Sequence, residues 1–137
     1  MNASIIGVGI DVVQISRMRR AIARWADRFL VRILSASERS YCEARRDSAP
    51  HVAARFAAKE AGLKALGIGW MGGSWTDLEV VNAPSGQPSL RLSGRAARRM
   101  AELGGTALFV SLTHDGDYAA AQVVISRQAP SDHGSRS

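Results

Sequence analysis

Lysine is almost missing from this chain: of eighteen basic residues only Lys59 and Lys64 are lysines, and the others are arginines. Where lysine persists against such a bias, a compact ammonium on a flexible stem has a use that a planar guanidinium does not serve. Cysteine occurs once, at Cys42. One cysteine excludes an internal disulfide, and with scattered histidines it leaves no ligand cluster for zinc. The lone thiol suits a reducing cytoplasm and reads as a small packing residue. No apolar run approaches the ~20 residues of a membrane span. No charged stretch followed by a long apolar one opens the sequence, so export is not expected either. Internal repeats are absent as well.

What is present is enough for one domain with a core: 137 residues, 46% of them hydrophobic. The boundaries expected are 1–127 for the domain and 128–137 for a short, polar, disordered tail. The net charge of +6 points to an acidic partner, whether nucleic acid, anionic membrane, phosphorylated small molecule or acidic protein.

Hydrophobic periodicity orders the elements. Residues 4–13 read as a buried strand, with Ile6, Val8, Ile10 and Val12 on one face and Gly7, Gly9 and Asp11 on the other. Ser16 is placed to cap a helix over 17–32. Along that stretch Met18, Ile22, Trp25 and Phe29 form an apolar stripe, and Arg17, Arg20, Arg24, Arg28 and Arg32 recur at helical spacing; the pattern fits one helix or two. Ser35-Ala-Ser-Glu38 has the form of a capping box and opens a short helix to about Arg46. A loop containing Pro50 leads to a long helix ended by Gly67, with Gly69 and Gly72-Gly73 giving the next stretch mobility. Strands are expected over 76–82 and 89–92 around a turn at 83–88. A helix capped by Ser93 follows to Leu103, and two strong strands, 107–113 and 118–126, meet around Asp115-Gly-Asp117. Without strict βαβ alternation, the fold class is α+β with a largely antiparallel sheet.

Two carboxylates stand where they do not belong by pattern. Asp11 interrupts an apolar strand, with glycines beside it that admit a close approach by a helix or ligand. Its plain reading is a capped or paired aspartate near a strand end. Glu60 lies among Val52, Phe56, Leu63 and Leu66 of the long helix, and a carboxylate turned toward a core is costly unless a cation meets it. An i,i+4 pair with Lys64, stabilising by roughly 0.2–0.5 kcal/mol, explains its spacing but not its face. Two carboxylates with few other ligand types suit a hard cation such as Mg²⁺, completed by water and phosphate. His114, at a strand end, is a third candidate; His51 and His133 have weaker claims. The arginine stripe is a solvated face or, lacking interleaved carboxylates, a docking surface for an acidic partner. No known nucleic-acid-binding motif accompanies it.

In this order the pieces resemble the holo-acyl-carrier-protein synthases, the small bacterial 4′-phosphopantetheinyl transferases. The likeness rests on Gly9-Ile-Asp11 with Arg17 six residues on and on Arg55-Phe-Ala-Ala-Lys59-Glu60-Ala-x-x-Lys64-Ala-Leu-Gly67-x-Gly69. Gly86-Gln-Pro88 and Ser111-Leu-Thr-His114 followed by Tyr118-Ala-Ala-Ala complete it. It spans about residues 5 to 126. The resemblance implies a largely antiparallel sheet packed on a long central helix, and transfer of phosphopantetheine from coenzyme A to a serine of an acidic acyl carrier protein. Asp11 and Glu60 would hold Mg²⁺ with the coenzyme A pyrophosphate. Lys64 would contact phosphate, and Arg55, Lys59, Gly67, Gly69 and His114 would belong to the same pocket. Arg17, with Arg20, Arg24 and Arg28, would dock the carrier. The family's small members are homotrimers with sites between subunits. The proton acceptor stays open among Glu60, Asp11, a metal-bound water and His114. The sequence departs from the family pattern at Gly62, where a bulky apolar residue is usual, and in its Trp70–Trp75 loop, whose indoles read as packing groups. The rivals are an arginine-rich, non-enzymatic nucleic-acid-binding module and an inactive relative of the family.

Overall fold

In a computed structural model that describes residues 3–69 and 74–129, the chain runs β1 (Ala3–Gln14), α1 (Ile15–Ile33), α2 (Ala36–Glu43), α3 (Ala49–Leu66), β2 (Leu78–Asn82), β3 (Pro88–Leu92), α4 (Gly94–Leu103), β4 (Ala107–Asp115) and β5 (Tyr118–Gln128). A 3₁₀ turn, Trp75–Asp77, precedes β2. The α+β expectation holds. β1, β5 and β4 form an antiparallel sheet in that order, and β2 and β3 form a separate hairpin. None of the described helices is long and apolar enough to cross a membrane.

The long helix α3 lies on the sheet because both surfaces are made of small residues. Ala53, Ala57, Ala58 and Ala61 are fully buried. A Cβ added at Gly7 would come within 2.1 Å of the Ala65 carbonyl oxygen, and one at Gly9 within 1.9 Å of that of Ala61. The strand therefore presents its glycine face to the helix at a separation no side chain permits. This reverses the expected burial of β1: Val8, Ile10 and Val12 are 54%, 61% and 58% exposed. A bulge between Ile5 and Gly7 shifts the register with β5.

α3 is enclosed nearly all round, so no single apolar stripe describes it. Phe56, Glu60 and Leu63 are only partly buried, and Lys64 is exposed. Glu60 thus faces a cleft and not the core. Pro50 sits in the first turn of α3 and not in a loop, where its missing N–H is no loss. Gly67 ends the helix in the left-handed conformation at φ 69°.

α1 begins earlier than expected, and Ser16 is inside it. Its N-terminus is capped from the β4–β5 turn instead: Ser16 N–H donates to Asp117 Oδ1 (2.8 Å) and Ser16 Oγ to Oδ2 (2.7 Å). The helix is broken at Ala26 by a positive φ of 47°, which answers the one-or-two question: two segments meet at a kink. Trp25, expected in the apolar stripe, is 49% exposed, whereas Met18 is buried. The Ser35–Glu38 capping box forms as read. Thr76 and Asp77 belong to the 3₁₀ turn, leaving β2 shorter than expected. The tail expected to be disordered lies mostly outside the described residues, as do Trp70, Met71, Gly72, Gly73 and His133.

Candidate active site

β1 and α3 run antiparallel, so the end of the glycine stretch brings Asp11 alongside the exposed edge of α3. Lys64 Nζ donates to Asp11 Oδ1 (2.9 Å) and to the Ile10 carbonyl (3.0 Å). The Asp11 carboxylate, first through its hydrogen bond and then through its charge, raises the Lys64 pKa and keeps it cationic. Glu60, one turn earlier on α3, shares with Asp11 a cleft of about 310 Å³ that Arg17, Met18 and Phe56 also line. Burial first, then the Asp11 charge, pushes the Glu60 carboxyl above the usual carboxylate range, with Lys64 acting the other way. Two carboxylates near enough to feel each other, beside a lysine and an arginine, form a site with both oxygen donors and cations.

That donor set fits a hard divalent cation. Among the described residues no cluster of three or more histidine, cysteine, aspartate or glutamate ligands forms. The protein would thus contribute two carboxylates and leave the remaining positions to water and phosphate, the usual arrangement for Mg²⁺.

Lys59 does not join this cleft, which corrects its assignment to the coenzyme pocket. It is 0% exposed, and its Nζ donates to Glu38 Oε1 (2.7 Å), the Leu78 carbonyl (2.5 Å) and the Trp75 carbonyl (3.2 Å). Glu38 in turn accepts from Ser35 N–H and Val80 N–H. Burial lowers the Lys59 pKa and the Glu38 charge opposes this. This saturated pair ties α2, α3 and β2 together, and Lys59 has no donor left for a substrate.

Arg55 and His114 gather elsewhere. In register, Asp11 lies opposite Ala121 and Leu112, while Val13, Ala119 and His114 align two residues further along. β1 and β4 are the two edges of the sheet, so His114 and Asp11 stand apart within one chain. His114 lies against His51, with ring centroids 5.6 Å apart. Arg55 is buried, donates from Nη2 to Asn82 Oδ1 (2.6 Å) and stacks on Tyr41. Arg45 stacks on Tyr41 as well. The sequence reading did not single out Tyr41, Arg45 or Asn82. The i,i+4 spacing of Tyr41 and Arg45 was available as a signal; the approach of Asn82 from β2 was not.

The glycines and indoles divide similarly. Gly67 is a helix stop. Gly69 is exposed and has open space around it, and leads into the undescribed 70–73 stretch. Gly62 lies under the β2–β3 hairpin, where a Cβ would meet Leu78 at 2.7 Å and Leu90 at 3.1 Å. Trp75 packs on Phe56 at 4.9 Å. Cys42 is buried, and burial pushes its thiol up to about 11, which makes it inert. Arg17, Arg20, Arg24 and Arg28 are all exposed on α1.

A mixed α+β fold thus carries a two-carboxylate cleft between strand and helix, flanked by arginine and lysine. The chain belongs to the 4′-phosphopantetheinyl transferase superfamily, whose family model matches residues 7–123. It is similar to the holo-[acyl-carrier-protein] synthase of Desulforudis audaxviator (48% identical, covering 85% of this chain and 89% of that protein). It is similar also to that of Syntrophotalea carbinolica (50% identical, 86% and 93%). Among solved structures it resembles the Helicobacter pylori holo-[acyl-carrier-protein] synthase in complex with coenzyme A, with TM-score 0.76, 34% identity, and coverage of 86% of this chain and 98% of that one.

Proposed function

We propose that this chain transfers 4′-phosphopantetheine from coenzyme A to a serine of an acidic apo acyl carrier protein, releasing adenosine 3′,5′-bisphosphate, with Mg²⁺ as its metal. The observation that carries the reading is the Asp11–Glu60 cleft with Arg17 at its wall and Lys64 on Asp11. The serine Oγ forms a new bond to the phosphorus next to pantetheine, and the phosphoanhydride bond to the nucleotide phosphate breaks. In such reactions positioning and charge neutralisation do most of the catalysis. Mg²⁺ held by Asp11 and Glu60 would neutralise charge on the pyrophosphate oxygens. Lys64 adds a second, tethered positive charge beside the same carboxylate. Asp11 and Glu60 are the carboxylates of the cleft placed to accept the serine proton. His114 of the same chain stands at the far sheet edge.

Arg17, Arg20, Arg24 and Arg28 form the carrier-docking face, and their exposure supports this, the first three before the Ala26 break and Arg28 after it. The homotrimer is supported by the bare apolar sheet face of Val8, Ile10, Val12 and Phe109, which a monomer rarely leaves open. Covering it with other copies offers a way to bring the Arg55–His114 group of one subunit toward the Asp11–Glu60 cleft of the next. The lone buried thiol suits a cytoplasmic setting. A nucleic-acid module leaves Asp11 and Glu60 without a role.

Asp11→Ala and Glu60→Ala are expected to lower turnover at least ~100-fold while circular dichroism and thermal melting stay close to wild type. Near-wild-type turnover in either folded variant contradicts the assignment.

A further inference from the structure

His51, at the start of α3, stands in a cluster of like charge. Its ring is edge-on to His114 (5.6 Å, 73°) and to Tyr41 (6.2 Å, 69°). The Tyr41 ring carries the Arg55 guanidinium at 3.9 Å from its centroid and the Arg45 guanidinium also at 3.9 Å. Arg55 is 3% exposed, and its Nε finds no acceptor among the described residues. The one carboxylate acting on His51 is Asp47, which is already engaged by both Arg19 Nη atoms at 2.9 and 3.0 Å. Two permanent cations and His51 therefore share the Tyr41 ring, with His114 against His51, and the carboxylate that acts on His51 is already engaged. Such an arrangement is relieved by an anion.

We infer that His51 is a proton-coupled residue of the co-substrate site: it takes up a proton when a phosphate group of coenzyme A docks beside Arg45 and Arg55, which Tyr41 holds in place. The inference rests on the functional reading above. The groups facing His51 are Tyr41 and Arg45 from α2 and its C-terminal end, Arg55 from α3, His114 from β4 and Asp47 from the α2–α3 connection. Burial, then the repulsion of His114, Arg55 and Arg45, holds its pKa below the ordinary histidine value, and Asp47 opposes this weakly. In the free protein His51 is neutral at pH 7. A phosphate dianion reverses the local sign and favours imidazolium.

The test is titration calorimetry of coenzyme A binding at pH 7.5 in two buffers of different ionisation enthalpy, repeated between pH 6 and 8. At pH 7.5 a phosphomonoester, with its second pKa near 6, is already mostly dianionic, so proton uptake reports the protein. Wild type is expected to take up a fraction of a proton and to bind roughly 10-fold more tightly at pH 6 than at pH 8, the equivalent of one pKa unit. His51→Phe, which keeps a ring against Tyr41, and His51→Gln are expected to lose most of that uptake and pH slope. Wild-type binding without proton uptake, or a folded variant that keeps the full uptake and slope, overturns the inference and leaves the functional reading standing. Failure of wild type to bind coenzyme A at any pH overturns both.

Discussion

Lys59 and Lys64 lie five residues apart on one helix and meet opposite environments. Lys64 is exposed and holds Asp11 at the cleft; Lys59 is buried and holds Glu38 in the core. Removing either partner of the buried Lys59–Glu38 pair leaves an uncompensated charge. A second anchored carboxylate is Glu79. Ser35 Oγ and Ser37 Oγ donate to its Oε2 at 2.5 and 2.7 Å, and Arg91 donates to Oε1. These bonds, the two serines first, hold its pKa at about 2 against an ordinary 4.5. A carboxyl with a depressed folded-state pKa stabilises fully above its unfolded value and loses that stabilisation as pH falls through the folded value. Glu79→Gln is therefore expected to lower the melting temperature at pH 7. The gap to wild type should close as pH falls from about 4.5 toward 2. A gap that stays constant across that window contradicts the assignment. Asp11 and Glu60 were legible in the sequence because a carboxylate on an apolar pattern is an anomaly anyone can see. The role of Lys59 was not, because Glu38 read completely as half of a capping box and its second carboxylate oxygen, turned to Val80, left no trace in spacing.

At the level of elements, α1 carries the exposed arginines proposed as the docking face and is fixed at both ends of its first segment, by Asp117 at its start and by the Ala26 break. Arg19 also reaches Asp47. Charge reversal at Arg20 and Arg24, which do not line the cleft, is expected to weaken carrier binding by at least ~10-fold with a smaller effect on coenzyme A, as measured by titration of each ligand. Equal weakening of both contradicts a docking face. Turn chemistry and caps were readable locally: the β4–β5 hairpin, the Ser35 box and the Gly67 stop all form. The covered face of β1 was not. Alternation tells which residues share a face, and only the alanine surface of α3, 50 residues on, decides that the glycine side is buried. Ser16 failed as a cap for a related reason, since Asp117 supplies the oxygen from across the sheet.

For the whole molecule, the decisive feature is a sheet covered by α3 on one side and bare on the other. Ile10 and Val12 sit on the bare side with Phe109. If copies of this chain cover it, Phe109→Glu, outside the cleft lining, is expected to convert the trimer to a monomer in sedimentation and to lower turnover, because the Asp11–Glu60 cleft loses its neighbouring subunit. A wild-type monomer with full activity contradicts that assembly. The fold class followed from element order alone. The division of the expected site into a carboxylate cleft and a separate basic cluster did not, because sequence separation says nothing about which edge of a sheet a strand takes.

The measurement closest to the central claim is intact-mass spectrometry of apo acyl carrier protein incubated with this protein, coenzyme A and Mg²⁺, with and without chelator. A mass gain of one phosphopantetheine group that chelator abolishes is the expected result. No gain from folded protein that binds coenzyme A, or a gain that chelator does not touch, would contradict it.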